Sequence, residues 1–183
     1  MKNLYLILFF LTPFLFIGQT YNVDIDKSNV EWIGKKATGS HNGIILIKKG
    51  HITLDKDNKI TDGEFILDME SISCTDLTGS KKASLDGHLM DADFFNTEKF
   101  PTAKFTITNS SKDKINGTLT IKDITHNISF KYENNSRLTY EAEIIVDRTK
   151  YNVKYKSKTI FPELGDRFIY DDFTIKLNSL IFN

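Results

Sequence analysis

Apolar and polar residues alternate along most of this chain with the two-residue period of strands that bury one face. Tyr21, Val23 and Ile25 open the pattern, and Val30-Glu31-Trp32-Ile33 resumes it after the polar break Asp26-Lys27-Ser28-Asn29. The stretch from Gly34 to Gly43 is rich in loop formers and is expected to be a loop. Ile44 to Ile47 is apolar on both faces, and Lys48-Lys49-Gly50 follows. His51 to Leu54 then runs into a hairpin turn at Asp55–Lys59. Phe65, Leu67 and Met69 share one face of the next strand. Further strands follow at Phe105–Thr108, Asn116–Lys122, Ile128–Tyr132 and along the series Leu138, Tyr140, Ala142, Ile144, Val146. Phe173, Ile175, Leu177 and Ile181 place one face of a last strand. Roughly eight or nine strands at regular spacing predict an antiparallel sandwich or barrel. Long strands with one apolar face favour a barrel, because closure removes exposed edges. Such a barrel is filled by side chains or holds one small ligand, and periodicity leaves both open.

One region departs from this rhythm. Ser80–Leu85 reads as a short helix limited by Gly87, followed by a turn around Asp91 and Asp93. Pro101 biases Phe100 toward extended geometry, so a new strand begins after it. Phe94, Phe95 and Phe100 stand close together here. They either plug the end of a core or face an apolar cavity.

Composition narrows the picture. The 14 Phe and 7 Tyr beside only 3 Pro suit strands. Lys+Arg and Asp+Glu are equal at 24 each, so no net field draws the chain to nucleic acid. The basic Lys2 followed by the apolar runs Leu4–Leu11 and Phe14–Ile17 reads as a signal peptide over residues 1–19, cleaved near Gln19. An uncleaved anchor is the alternative, although the run is short for a span. A single domain over residues 20–183 and a periplasmic or secreted location are therefore expected. Cys74 is alone, so no internal disulfide is available, and a buried small hydrophobe is the favoured role over a reactive thiol.

Candidate chemistry is sparse. His41, His51, His88 and His126 show no metal-ligand spacing, and the sequence carries no nucleophile elbow, phosphate loop or dinucleotide fingerprint. His41 and His88 stand in glycine-flanked, loop-like contexts that could bring them together. The pairs Asp91/Asp93 and Asp171/Asp172 read as turn residues. Asp147-Arg148-Thr149, ahead of Tyr151, reads either as a charge-assisted pair near a barrel mouth or as an exposed turn salt bridge.

Several blocks carry a family resemblance. Asp93-Phe94-Phe95-Asn96 with Lys99 to Phe105, then Gly117 to Thr125, Asp147 to Val153 and Asp171 to Ile175 occur in the order seen in the YceI-like proteins, which the chain from about Tyr21 to Phe182 resembles. The resemblance implies an extended eight-stranded antiparallel, lipocalin-like barrel with a short helix and loop inserted around residues 80–96. It also implies a tunnel for a polyisoprenoid or similar lipid, export, and no catalytic residues. Many relatives carry a Phe-x-x-x-His stretch after the first strands. This chain has Trp32-Ile33-Gly34-Lys35-Lys36 there and places His41 later.

The expected function is non-catalytic binding of a long-chain amphiphile in a periplasmic or secreted protein. The lipid ligand is the expected partner, with transient membrane contact, no nucleic acid, no metal, and no cofactor beyond bound isoprenoid or fatty-chain lipid. Expected tunnel-wall residues are Trp32, Phe65, Leu67, Met69, Phe94, Phe95, Phe100, Phe105, Leu119, Ile121, Ile144 and Phe173. Expected polar groups at the mouth are His41, His88, Asp147, Arg148 and Tyr151. Two alternatives compete: a metal- or His-dependent enzyme using His41 and His88, and a solid-core structural or stress-response module.

Overall fold

A computed structural model describes residues 18–183. The signal-peptide reading therefore lies almost wholly outside the described residues. Nine strands are present: β1 (Gln19–Asn22), β2 (Val30–Lys36), β3 (Gly39–Leu54), β4 (Ile60–Cys74), β5 (Thr102–Ser110), β6 (Lys114–Ile121), β7 (Ile124–Ser136), β8 (Thr139–Asp147) and β9 (Ile169–Ile181). One helix, α1 (Gly79–Met90), separates β4 from β5.

All pairings among the named strands are antiparallel, as short connections between sequential strands dictate. Strands β3, β2, β9, β8, β7, β6, β5 and β4 follow one another around the wall, and the β4–β3 ladder closes it into an eight-stranded barrel. The ninth strand extends the wall. β3 is 16 residues long; its first half pairs with β2, from Lys36 opposite Gly39 to Val30 opposite Ile45. Its second half pairs with β1, from Asn22 opposite His51 to Gln19 opposite Leu54. β1 and β2 thus lie end to end on one edge of β3, and a bridge between Val23 and Phe182 joins that lower segment to the end of β9.

The loop expected over Gly34–Gly43 is instead strand on both sides of the Ala37-Thr38 turn. The glycines serve close approach rather than looseness. Gly43 lies opposite both Trp32 and Cys74, and a Cβ placed there would meet the Ser73 carbonyl oxygen and sit 2.7 Å from the Trp32 ring. The strand runs on through Lys48–Gly50 to Leu54. Register shifts at Ile44/Leu46 and Ile47/Lys49 mark bulges that bend β3 and leave Leu46 50% exposed between buried Ile45 and Ile47. In β9 a similar shift, between Tyr140 and Ala142 of its partner, changes the parity. Phe173, Ile175 and Leu177 face inward as expected, but the inward series continues with Leu180 and Phe182 rather than Ile181.

The helix is longer than its sequence suggested, running through Gly87 and His88. Gly87 has open space where a side chain would be, so the residue weakens the helix without interrupting its packing. Asp86 anchors α1 to the barrel: its carboxylate accepts the Cys74 N–H at 2.7 Å and the Lys82 ammonium one helical turn away. After α1 the chain turns sharply, with the Asp91 carbonyl accepting from the N–H groups of Phe94 and Asn96.

Burial divides the core in two. One cluster, at the α1 end, contains Trp32, Ile72, Leu89, Phe94, Phe95 and Tyr151; the other, at the β1 end, contains Tyr21, Val23, Ile52, Tyr140, Leu180 and Phe182.

At the junction of β4 and α1, Asp76 ties three segments together. It accepts from the ring Nδ1 of His41 at 2.9 Å, the Asn42 N–H at 3.2 Å and the Cys74 thiol at 2.9 Å. Burial alone would raise its carboxyl, but these bonds outweigh burial and hold it at about 2, against an ordinary 3.8. A folded-state value below the unfolded one gives stability that is complete above the unfolded value and disappears as pH falls through the folded one. Asp76→Asn is therefore expected to lower resistance to urea at neutral pH, with the gap to the parent closing between pH 3.8 and about 2. A gap independent of pH would assign the loss to shape rather than charge. Gly43→Ala is expected to cost about 2 kcal/mol or more in the same titration, because backbone and indole must both shift.

Candidate functional site

A cavity of about 1120 Å³, its opening included, occupies the barrel between the two core clusters. Its wall follows from the alternation along each strand, with inward side chains at every second position. β4 supplies Phe65, Leu67 and Met69; β5 supplies Ala103, Phe105 and Ile107; β6 supplies Ile115, Leu119 and Ile121. Ile128, Phe130 and Tyr132 come from β7, Ala142, Ile144 and Val146 from β8, and Phe173, Ile175 and Leu177 from β9. Lys104 and Glu141 are the charged residues among those lining it. The phenol groups of Tyr132 and Tyr140 donate to the carbonyls of Ser111 and Arg137, at 3.2 and 3.4 Å, so their polar ends are held at the β1 end.

Both ends of the barrel are filled. At the β1 end the Phe182 ring meets Phe65 at 6.1 Å and Tyr140 at 5.6 Å, both edge to face. At the α1 end Phe94 and Phe95 meet edge to face at 5.0 Å, and Phe95 reaches Phe173 at 6.3 Å. Lys122 fixes this plug from below the turn: its ammonium donates to the carbonyls of Phe94 at 2.7 Å and Asn152 at 3.3 Å. Burial pulls its pKa below the ordinary lysine value.

Of the wall residues expected from sequence, Phe65, Leu67, Met69, Phe95, Phe105, Leu119, Ile121, Ile144 and Phe173 line this cavity together. Trp32 and Phe94 do not. They line a second, smaller cavity of about 450 Å³ at the α1 end, with Ile72, Leu89, Arg148 and Tyr170. The reason is position: Trp32 stands opposite Gly43, beyond the level of the main cavity, and Phe94 belongs to the plug. Phe100 lines neither cavity; it is half-buried, with the Lys99 ammonium 5.1 Å from its ring centre.

The expected polar mouth is not a single site. His41 is on β3, bonded to Asp76, and His88 is in the last turn of α1, its ring 4.3 Å from that of Tyr155 and 5.6 Å from that of Phe94. The loop contexts expected for both are thus strand and helix, and the two rings have different partners. No group of three or more His, Cys, Asp or Glu able to hold a metal occurs among the described residues.

The expected Asp147–Arg148 pair is also corrected. Asp147 turns back on its own chain and accepts from the N–H and hydroxyl of Thr149, at 3.0 and 2.6 Å. Arg148 points inward at 2% exposure and donates to the carbonyls of Tyr170, Val153 and Ile169, at 3.1, 2.8 and 3.2 Å. Its carboxylate neighbour is Asp171, at 3.8 Å, and its guanidinium stacks 5.6 Å from the Phe94 ring centre. Burial lowers the Arg148 pKa, while Asp171 and Asp147 oppose that shift. Arg148 therefore clamps the turn after β8 onto β9. Tyr151 is buried beside it, with its ring 5.2 Å from His126.

Sequence reasoning missed the β7 residues Ile128 and Phe130 as part of the wall, although their alternation was a sufficient signal. Nothing local in the sequence distinguishes the buried Arg148, or the half-buried Lys122 that holds the plug, from surface cations.

Comparison with known proteins agrees with this architecture. No curated protein matches the chain in sequence. Among solved structures, Burkholderia cenocepacia BcnA superposes with a TM-score of 0.66 at 20% identity, covering 87% of this chain and 98% of its own. A polyisoprenoid binding domain from Saccharophagus degradans, implicated in plant cell wall breakdown, gives 0.61 at 12% identity, covering 89% and 97%. The Campylobacter jejuni YCEI protein gives 0.52 at 17% identity, covering 75% and 79%. These likenesses show the fold. The family model described as YceI-like domain matches residues 21–179, nearly the whole barrel, and the chain belongs to the YceI-like family.

Proposed function

We propose that this protein binds one long-chain amphiphile, an isoprenoid or fatty chain, in the barrel cavity, without catalysing its conversion. The cavity carries the reading: it is walled almost wholly by apolar side chains from β2 to β9, and aromatic rings pack across both barrel ends. Each methylene buried there is worth about 0.8 kcal/mol, so chain length alone gives affinity. The polyisoprenoid binding domain among the similar structures supports an isoprenoid chain over other apolar ligands. The solid-core alternative is disfavoured by this apolar-lined space, to which residues of eight strands contribute. The enzyme alternative has no support from His41 and His88, whose partners differ.

Export to the periplasm or beyond is part of the proposal. Its support is the N-terminal sequence, together with the start of β1 at Gln19, so that cleavage there leaves every strand intact. Transient contact with a membrane would supply the ligand. Fractionated cells are expected to yield the protein outside the cytoplasm with a mature N-terminus near Gln19; an intact Met1 on the cytoplasmic form alone would reject export.

Native mass spectrometry after gentle purification, followed by organic extraction, is expected to show one apolar chain per protein. Failure to retain any lipid and to take up an added isoprenoid quinone would reject binding. Leu119→Trp provides a second check. A ring entering empty space is expected to cost less than about 1.5 kcal/mol while reducing quinone uptake, whereas a filled core would lose up to about 3 kcal/mol.

A further inference from the structure

The barrel wall is hydrogen-bonded unevenly. β6 pairs with β7 along its whole length, from Lys114 opposite Lys131 to Ile121 opposite Ile124, and β8 pairs with β9 from Thr139 to Asp147. β7 and β8 pair only at one end, from Ser136 opposite Thr139 to Tyr132 opposite Ala142. Continued in the same register, the ladder would run from Lys131 opposite Glu143 to Asn127 opposite Asp147. Among the described residues none of those pairs forms. The two strands diverge, each bonded only to its outer neighbour, and their facing backbone groups have no ladder partner.

The divergence is framed rather than frayed. At one end it stops at the Tyr132–Ala142 pair. At the other, His126 Nε2 lies 3.1 Å from the Lys150 carbonyl oxygen, which ties β7 to the turn after β8. Ile128 and Phe130 on one lip and Ile144 and Val146 on the other all line the main cavity, so the parted strands stand directly over it. The inward residues Ile128 and Phe130 are only half-buried, whereas Ile45, Ile47 and Ile52 on the β3 wall across the barrel are buried. Outside, on the β8 lip, Ile145 is 66% exposed.

Both barrel ends are filled by packed rings, so an apolar chain entering there would first have to dismantle a plug. We propose that the β7–β8 divergence is the portal through which an amphiphile's apolar chain enters and leaves the cavity sideways, with its hydrogen-bonding head held at the lips by the unpaired backbone groups. Unpaired N–H and C=O groups require partners. A polar head supplies them where the rest of the apolar wall cannot. Entry needs only further parting of strands that share no ladder. This inference rests on the binding reading above and adds the route.

The test bridges the lips. Asn127→Cys and Ile145→Cys introduce exposed thiols on either side; Cys74 is fully buried. A bifunctional thiol reagent containing a reducible disulfide joins them in the folded protein, and parinaric acid serves as the fluorescent apolar probe. Bridging the empty protein is expected to slow probe uptake by about tenfold or more, bridging the loaded protein to slow release similarly, and reduction of the linker to restore both. A matched bridge between Glu143→Cys and Lys176→Cys, across the paired β8 and β9, is expected to leave the rates unchanged. Unaltered exchange after the Asn127–Ile145 bridge, or equal slowing by both bridges, would overturn the portal and leave binding standing. Absence of probe binding before any bridge would overturn both.

Discussion

The pairing of β3 with β4 is the constraint on which the rest depends. It returns β4, at one end of the strand order, to β3 and closes eight strands into a wall. Closure forces one face of every strand inward, and the inward faces carry more apolar surface than their own side chains fill. The space left over is the cavity. A solid core would need the two halves of the wall to collapse on one another, which continuous ladders around most of the circumference resist. Aromatic rings pack edge to face at both ends, on either side of the cavity.

The α1 end shows how polar groups are used to hold an apolar plug. Lys122 and Arg148 spend most of their donors on backbone carbonyls of neighbouring turns rather than on carboxylates. A buried cation without such partners would be strongly destabilising, so each bonded carbonyl fixes the geometry of the segment that carries it. Phe94 is held twice, through its carbonyl by Lys122 and through its ring by Arg148. The residues that close the barrel at this end thus depend on two cations, Arg148 buried and Lys122 half-buried.

Where strands alternate cleanly, the wall was legible residue by residue. Phe65, Leu67 and Met69 on β4, and Ala142, Ile144 and Val146 on β8, face the cavity as their spacing dictates. The glycine-rich Gly34–Gly43 stretch misleads because glycine signals both a loop and a close backbone approach; Gly43 is the second, as the nearness of the Ser73 carbonyl and the Trp32 ring shows. The glycines beside His41 and His88 are ambiguous for the same reason, lying within a strand and a helix.

By itself the sequence determined a β-rich chain with an apolar face on each strand, one helix after β4, and the order of blocks that marks the family. Each of these is set by local periodicity or local composition. Tertiary structure alone decided that the side chains leave a cavity instead of packing solid, that Trp32 and Phe94 belong to its end rather than its wall, and that Arg148 reaches Asp171 and three carbonyls instead of Asp147. It alone showed β7 and β8 parting. Those outcomes depend on bulges that shift register, on which strands meet across the closure, and on the volume between opposed walls. None of these quantities is carried by neighbours in sequence.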